Sequence, residues 1–320
     1  MEPLEKYLRR FKRLRIDRSH GGVAPHKPIL LISVIQAYQN SLIKDNRVYI
    51  TAELVALFRT NWTALVETKH DCRISYPFYY MKSEKFWTLV PKPGFENIDK
   101  MGAIMKSFSN LNGAVEYALL DEELSRLMQN KKTGSILQQF LLEEYFPKTK
   151  ANFKGSNNAQ LKVLSEIENK IFEESALEYR KEMEKLIEQK NEEEIYLRGN
   201  VFKREVPKIY NNTCCISGMR VDAITPVAMV DACHIVPFSV SYDDTITNGI
   251  ALCPNLHRAF DRGLITIDEE YRVVISKSFR ESESNYGIQS FSGKKILLPK
   301  KPVFIPSREN LEWHRNNTFK

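Results

Sequence analysis

The sequence has no uninterrupted apolar run near the roughly 20 residues that cross a bilayer, and its opening, MEPLEKYLRRFKRLR, lacks the apolar centre of a secretion signal. A helical membrane protein is excluded and the expected location is the cytoplasm. Cysteine is scarce and poorly spaced: Cys72, Cys214, Cys215, Cys233 and Cys253 are odd in number and form no C-x-x-C pair. That pattern argues against a disulfide framework and against a four-cysteine zinc knuckle. No segment recurs at a fixed period, which excludes a solenoid. What is present suits an ordinary folded chain. It has 320 residues, of which 42% are hydrophobic and 27% charged, and its mean hydropathy is −0.39. A single core stops growing before this length, so about two domains are expected.

The net charge of +7 is unevenly placed. Residues 1–150 hold 23 basic and 16 acidic groups, residues 151–200 hold 8 and 11, and residues 201–320 hold 16 and 13. Basic ends permit contact with a polyanion without requiring it. The segment EKYLRRFKRLRIDR places Leu8, Phe11 and Leu14 at helical spacing. It reads as an amphipathic surface helix whose basic face is either merely solvated or touches phosphates. APHKPILLISVIQAY, with Pro28 in its first turn, reads as a buried helix. RVYITAELVALFRTNWTAL predicts a short strand and then a helix. The aromatic segments SYPFYYM and KFWTLV read as strands or strand-like loops, and residues 117–146 as two helices broken near Lys131–Gly134.

The polar KTKANFKGSNNAQ is the expected domain boundary, and residues 159–197, dense in Glu and Lys, predict one long exposed connecting helix. From Arg198 onward the chain is expected to be β-rich. Trp313 and His314 near the end read as packing and capping residues. The domains expected are therefore 1–150, a connector 151–197, and 198–320, with an α+β fold class.

The most informative stretch is CCISGMRVDAITPVAMVDACHIVPFSVSYDDTITNGIALCPNLHRAFDRGLITID. A strand ending in His234, a turn at Pro237, a loop holding Asn248 and a short helix bearing His257 predict a compact ββα hook. Attack on a phosphodiester needs a deprotonated water, and a neutral imidazole accepts its proton near physiological pH. His234 is the expected base. Charge developing on the scissile phosphate calls for one divalent metal, Mg or Mn, with His257 as its first ligand. The Asn248 amide can either ligate that metal or hold the loop by backbone hydrogen bonds. Asp231 shares a strand face with Cys233 and is expected as an oxygen ligand, while Cys233 and Cys253 otherwise read as small buried hydrophobes. Asp261 reads as a residue fixing the local turn.

H-I-V-P at His234, N-G at Asn248, L-C-P-N-L-H leading to His257 and the following F-D-R-G-L-I together resemble the HNH, or ββα-metal, nuclease motif. The flanks RGNVFKREVPKIYNNTCCISG and LPKKP…PSRENLEWHR resemble those of HNH domains in modification-dependent restriction endonucleases. Members of the wider superfamily often place an acidic residue or His just before the base, where this chain has Cys233.

The N-terminal segments APHKPILL, FRTNWTAL, YPFYYM, FWTLVPKPG and LLEEYFP, spread over about residues 4–148, resemble the sulfur-binding domain that precedes HNH domains in phosphorothioate-dependent restriction enzymes. The resemblance implies that His26, Lys27, Tyr76 and Pro77 recognise DNA in which sulfur replaces a non-bridging phosphate oxygen. Lys27 stands where the family often has Arg, keeping the charge without the bidentate fork. Arg73 is a further expected phosphate contact.

Together these resemblances imply an N-terminal reader of phosphorothioated double-stranded DNA joined to a C-terminal one-metal HNH nuclease. Cutting both strands with one site per chain favours a homodimer. Two rivals stand beside this: the same nuclease reading modified cytosine in an aromatic pocket, and a DNA-binding regulator that keeps the HNH fold only as a scaffold.

Overall fold

Buried helices in the first half and a helix-backed hairpin in the second organise the chain. The computed structural model describes residues 2–18, 22–153, 159–221, 229–282 and 287–320. It divides into two compact units, Met1–Ser165 and Glu166–Lys320. The polar stretch read as a boundary lies partly outside the described residues, at 154–158.

In the first unit, α1 (Pro3–Lys12) buries Tyr7 and Phe11 and leaves its arginines outward. α2 (His26–Gln39) is buried at every position from His26 to Tyr38, as its nearly unbroken apolar sequence requires. β1 (Arg47–Val48) precedes α3 (Ala52–Leu65), which Thr51 caps by accepting from Leu54 N. α4 (Ser75–Tyr80) follows, then β2 (Trp87–Pro91), α5 (Phe108–Ala114), β3 (Val115–Leu120), α6 (Glu122–Gln129) and α7 (Lys131–Tyr145). The strands form an antiparallel sheet in the order β1-β3-β2. α2 is the hub, packing on α3, α4, α6 and α7.

Two local expectations change here. SYPFYY is a helix, α4, because Pro77 sits in its first turn, where a missing N–H breaks no helical bond. Residues 117–120 belong to β3, not to a helix: Val115, Ala118 and Leu120 are buried while Glu116 and Leu119 are exposed. Apolar residues at three and two positions apart satisfy either period, and pairing with Trp87–Val90 decides it. The helix break falls at Asn130, whose side chain accepts from Lys132 N and Thr133 N.

The expected single connector is three helices, α8 (Ala159–Glu173), which contains the division at Ser165, and α9 (Ala176–Glu188) and α10 (Glu192–Ile209) of the second unit. Ser175 and Asn191 cap the second and third, and Lys190 takes the left-handed φ of 53° that ends α9. The stretch from Arg198 is thus not β-rich at first: it is the second half of α10. Apolar residues there, Leu197, Val201, Phe202 and Val206, are buried. Next come β4 (Asp231–His234), α11 (Phe238–Ser241), β5 (Gly249–Leu252), α12 (Pro254–Asp261), β6 (Ile265–Ile267), β7 (Val273–Ile275) and α13 (Arg308–Asn317).

β4 and β5 pair antiparallel with His234 opposite Gly249, and α10 packs on both strands. β6 and β7 form a second pair. His314 of α13 is 1% exposed and stacks on Phe260 at 3.7 Å, so it is a packing residue, as read from the sequence. All five cysteines are free thiols. No helix among the described residues is long and apolar enough to cross a membrane.

Gly249 has a specific reason to lack a side chain. A Cβ there would sit 2.7 Å from Val206 Cγ2 and 2.9 Å from Phe202 Cε2, so α10 could not lie so close to the hairpin. Gly249→Ala is expected to destabilise the chain by about 1–3 kcal/mol, as overpacking does; a thermal melt equal to that of the parent would contradict this packing.

Candidate functional site

The hairpin and α12 assemble the ββα hook predicted from the sequence, and they sort its residues into three environments. On β4 and α12, His257 stands between two carboxylates. Its Nδ1 is 3.3 Å from Asp231 Oδ2 and its Nε2 is 3.4 Å from Asp261 Oδ2. Cys233 joins them: one donor atom each from Cys233, His257 and Asp261 lie within 4.8 Å of one another. Cys233 is fully buried, and burial together with Asp261 pushes its thiol well above the usual range. An imidazole flanked by carboxylate oxygens suits a hard divalent cation better than a soft sulfur donor does. The oxygen and imidazole donors there fit one hard divalent cation.

One residue along β4 from Cys233, His234 lies in the second environment. Its Nε2 is 2.8 Å from Asp244 Oδ1, and its ring stacks on Phe202 with centroids 4.0 Å apart.

Asn248 occupies the third and is wholly buried. Its Oδ1 accepts from Val236 N at 2.9 Å and from Asn310 Nδ2 at 3.1 Å. Its Nδ2 donates to the carbonyls of Val236 and Asp243 at 3.0 and 2.9 Å. Both oxygen lone pairs are engaged, which leaves none for a cation. Of the two roles open to Asn248, holding the loop is the one its contacts fill, and the expectation of Asn248 as a metal ligand is corrected on that ground.

In the first unit, His26, Lys27, Tyr76 and Pro77 line one cavity of about 480 Å³ with Tyr80 and Lys106. Pro77 is buried, whereas Tyr76 is half-buried. Two cations flank the Tyr76 ring, Arg73 at 6.0 Å and Lys106 at 5.7 Å from its centroid. His26 packs between Trp62, His70 and Tyr76 and donates through Nε2 to the Asp71 carbonyl at 2.9 Å.

Lys27 differs from the expectation of a DNA contact. It is 7% exposed, and its ammonium donates to Glu84 Oε1 at 2.6 Å and to Ser83 Oγ at 2.7 Å. A buried lysine needs such a partner, so its charge is neutralised within the fold. Beside this cavity lies a groove of about 210 Å³ lined by Arg9, Arg10, Arg13, Arg15 and Lys85. Among the described residues no carboxylate pairs with the side chains of Arg13, Arg15 or Lys85.

Residues 4–153 match the family model of the ScoMcrA-like DNA sulfur-binding domain, and residues 214–268 match that of the HNH endonuclease. The chain joins these two domains. No curated protein matches it. Among solved structures, a chain titled modification-dependent TagI restriction endonuclease aligns at 20% identity over 36% of each chain, with a TM-score of 0.27, a likeness too loose to bear on the site.

Within the HNH domain two acidic residues take places that sequence reasoning did not give them. Asp261 had read as a turn residue, although it lies four positions after His257 on one helix face, a spacing that predicts their contact. Asp244 reaches His234 through an irregular loop, and no local periodicity signals it. In the sulfur-binding domain the missed residues are Glu84, the partner of Lys27, and Lys106, which reaches Tyr76 from the end of the 3-10 helix Gly102–Lys106.

Burial pushes the His26 imidazole down to about 4. The folded state therefore resists protonation below the ordinary value near 6.5. Its stabilising contribution is full above about 6.5, declines as pH falls and is gone near 4, a loss of roughly 3 kcal/mol. His26→Gln is expected to flatten the decline of melting temperature between pH 6.5 and 4, the range bounded by those two values. An unchanged acid limb would contradict a neutral buried His26.

Proposed function

We propose that the chain is a modification-dependent DNA endonuclease: the N-terminal domain binds phosphorothioated duplex, and the HNH domain hydrolyses phosphodiester bonds nearby. The cutting half rests on one observation, His257 of α12 set between Asp261 of the same helix and Asp231 of the strand that ends in His234. His234 takes the proton from the attacking water, and Asp261 with His257 would hold a single divalent cation. Asp231, on the opposite ring nitrogen, orients His257 by the carboxylate–imidazole pairing common behind metal-bound histidines. When bound, such a cation supplies positive charge to the scissile phosphate and to the leaving oxygen. Asn248 serves the reaction by holding the loop between Val236 and Asp243.

The reading half rests on an apolar wall flanked by cations. Sulfur is larger, more polarizable and less hydrated than oxygen, so moving it against Pro77 and the ring of Tyr76 costs less desolvation. Arg73 and Lys106 beside the same ring balance the charge of the phosphorothioate. Lys27, engaged with Glu84, shapes the cavity wall and contributes little charge to DNA. The groove at Arg13, Arg15 and Lys85 shares Arg15 and Ser83 with this cavity and continues the basic surface along the duplex backbone.

The decisive experiment compares three synthetic duplexes, phosphorothioated, cytosine-modified and unmarked, for binding and for cleavage with Mg or Mn. Preference for the phosphorothioated duplex is expected, and Tyr76→Ala should remove roughly tenfold of it, about 1–2 kcal/mol. Preference for modified cytosine instead would give the cavity a different ligand, and equal affinity for all three would sink both versions. Cleavage should fall roughly 10²- to 10⁴-fold in His234→Ala, leaving a measurable residual rate; cleavage without loss in that variant would leave the HNH fold as a scaffold only.

Binding through the basic groove should also be strongly salt-dependent. Arg13→Gln with Lys85→Gln is expected to reduce the slope of log affinity against log salt by about 2, equally for marked and unmarked duplex. An unchanged slope would place the duplex elsewhere.

A further inference from the structure

Groups far from it in sequence hold His234 on two sides. A carboxylate oxygen accepts at Nε2, across the 2.8 Å contact with Asp244, so that nitrogen carries the hydrogen. Nδ1 has no partner among the described residues and keeps its lone pair. One face of the ring lies on Phe202 of α10, with only 10° between the planes, and the bare Gly249 opposite His234 is what admits that ring.

Asp244 is in turn held from α9. It is 1% exposed, and its second oxygen accepts from the Tyr179 hydroxyl at 3.4 Å. Tyr179 is fully buried, and burial with Asp244 raises its pKa, which keeps it a donor. The Arg198 guanidinium lies over the Tyr179 ring at 5.1 Å and is anchored by Glu182 and Glu194. Arg180 Nε donates to the Ser241 carbonyl at 2.9 Å, tying α9 to the loop that carries Asp244.

We propose that Asp244, Phe202 and Tyr179 are positioning residues of the cutting site: together they fix the tautomer and ring plane of His234, leaving Nδ1 as the proton acceptor. Phe202 and Tyr179 lie outside residues 214–268, so the site extends beyond the segment that matches the HNH family. The inference rests on the reading of His234 as the base. Asp244 acts most strongly because its bond to the ring is short and charge-assisted. Tyr179 acts least, since 3.4 Å is long for a hydroxyl donor.

The test uses the full chain and cleavage of phosphorothioated plasmid DNA with Mn. Asp244→Ala is expected to lower kcat roughly 10- to 100-fold, the usual cost of removing a group that orients a reactive imidazole, while KM for DNA stays within about twofold. Tyr179→Phe should cost only a few fold. In a His234→Ala background, Asp244→Ala should lower the residual rate by less than about twofold, because a residue acting through the ring has nothing left to position. A loss of the same factor in both backgrounds would show a general structural role and overturn the proposal. So would parental kcat in Asp244→Ala. Asp244→Asn keeps the side chain's shape and repeats the comparison if the alanine variant melts early; its neutral amide should fall between parent and alanine. If His234→Ala itself cuts at the parental rate, the base reading fails and this proposal with it. An inactive His234→Ala beside fully active Asp244 variants refutes the positioning alone.

Discussion

The amide of Asn248 is the constraint on which the second unit's chemistry depends. It is entirely out of solvent, and each of its polar atoms is bonded to chain on a different side: Val236 on one strand's exit, Asp243 in the following loop, Asn310 near the C-terminus. A buried amide left half-satisfied costs more than it would contribute, so the loop has one geometry or none. That geometry turns the chain sharply after His234 and delivers Asp244, the residue after Asp243, to the imidazole. The residue that names the motif's middle letter thus acts by holding backbone.

Backbone economy of the same kind explains the glycine beside it. Gly249 faces His234 across the hairpin and leaves the space into which Val206 and Phe202 of α10 descend. A hairpin of two four-residue strands has little stability of its own. α10 supplies the missing apolar wall, and the aromatic face that closes the hairpin's core is also the face against which the imidazole lies. Packing and ring orientation are in this case one contact. The same economy appears in the first unit, where α2 is buried over almost its full length and its first turn carries both His26 and Lys27 into the cavity.

Much of this was legible in the sequence, and the failures follow a rule. The hook could be read because its turn residues, its strand ending in His234 and its Pro-led helix are local signals. Helices α1, α2 and α3 announced themselves by their apolar patterns, and α2 also by Pro28 in its first turn. The reading failed where one pattern serves two periods, as in β3, or where a short aromatic segment is helical because of a proline in its first turn, as in α4. Long-range partners were invisible for a different reason. Nothing within ten residues of Lys27 predicts that Glu84 will neutralise it, and the loop from Pro237 to Asp244 has no period from which the return of Asp244 could be inferred. Asp261 is the exception: its i,i+4 relation to His257 is a local signal that the sequence carries.

The connector is where sequence and structure differ most, and the reason bears on how the two domains work. Glu- and Lys-rich composition fits a solvated spacer, and most side chains of α8 and α9 are indeed exposed. Yet a few residues on α9 and α10 point inward with disproportionate effect. Arg198, 1% exposed, binds carboxylates on both α9 and α10, and Tyr179 reaches Asp244. Charged residues that pair with one another across two helices look in sequence the same as charged residues that face water. A boundary drawn at residue 198 would cut α10 through its middle and separate Tyr179 and Arg180 from the loop they hold. The physical unit that contains the cutting site therefore starts upstream of the motif, within the helices that composition alone assigns to a linker.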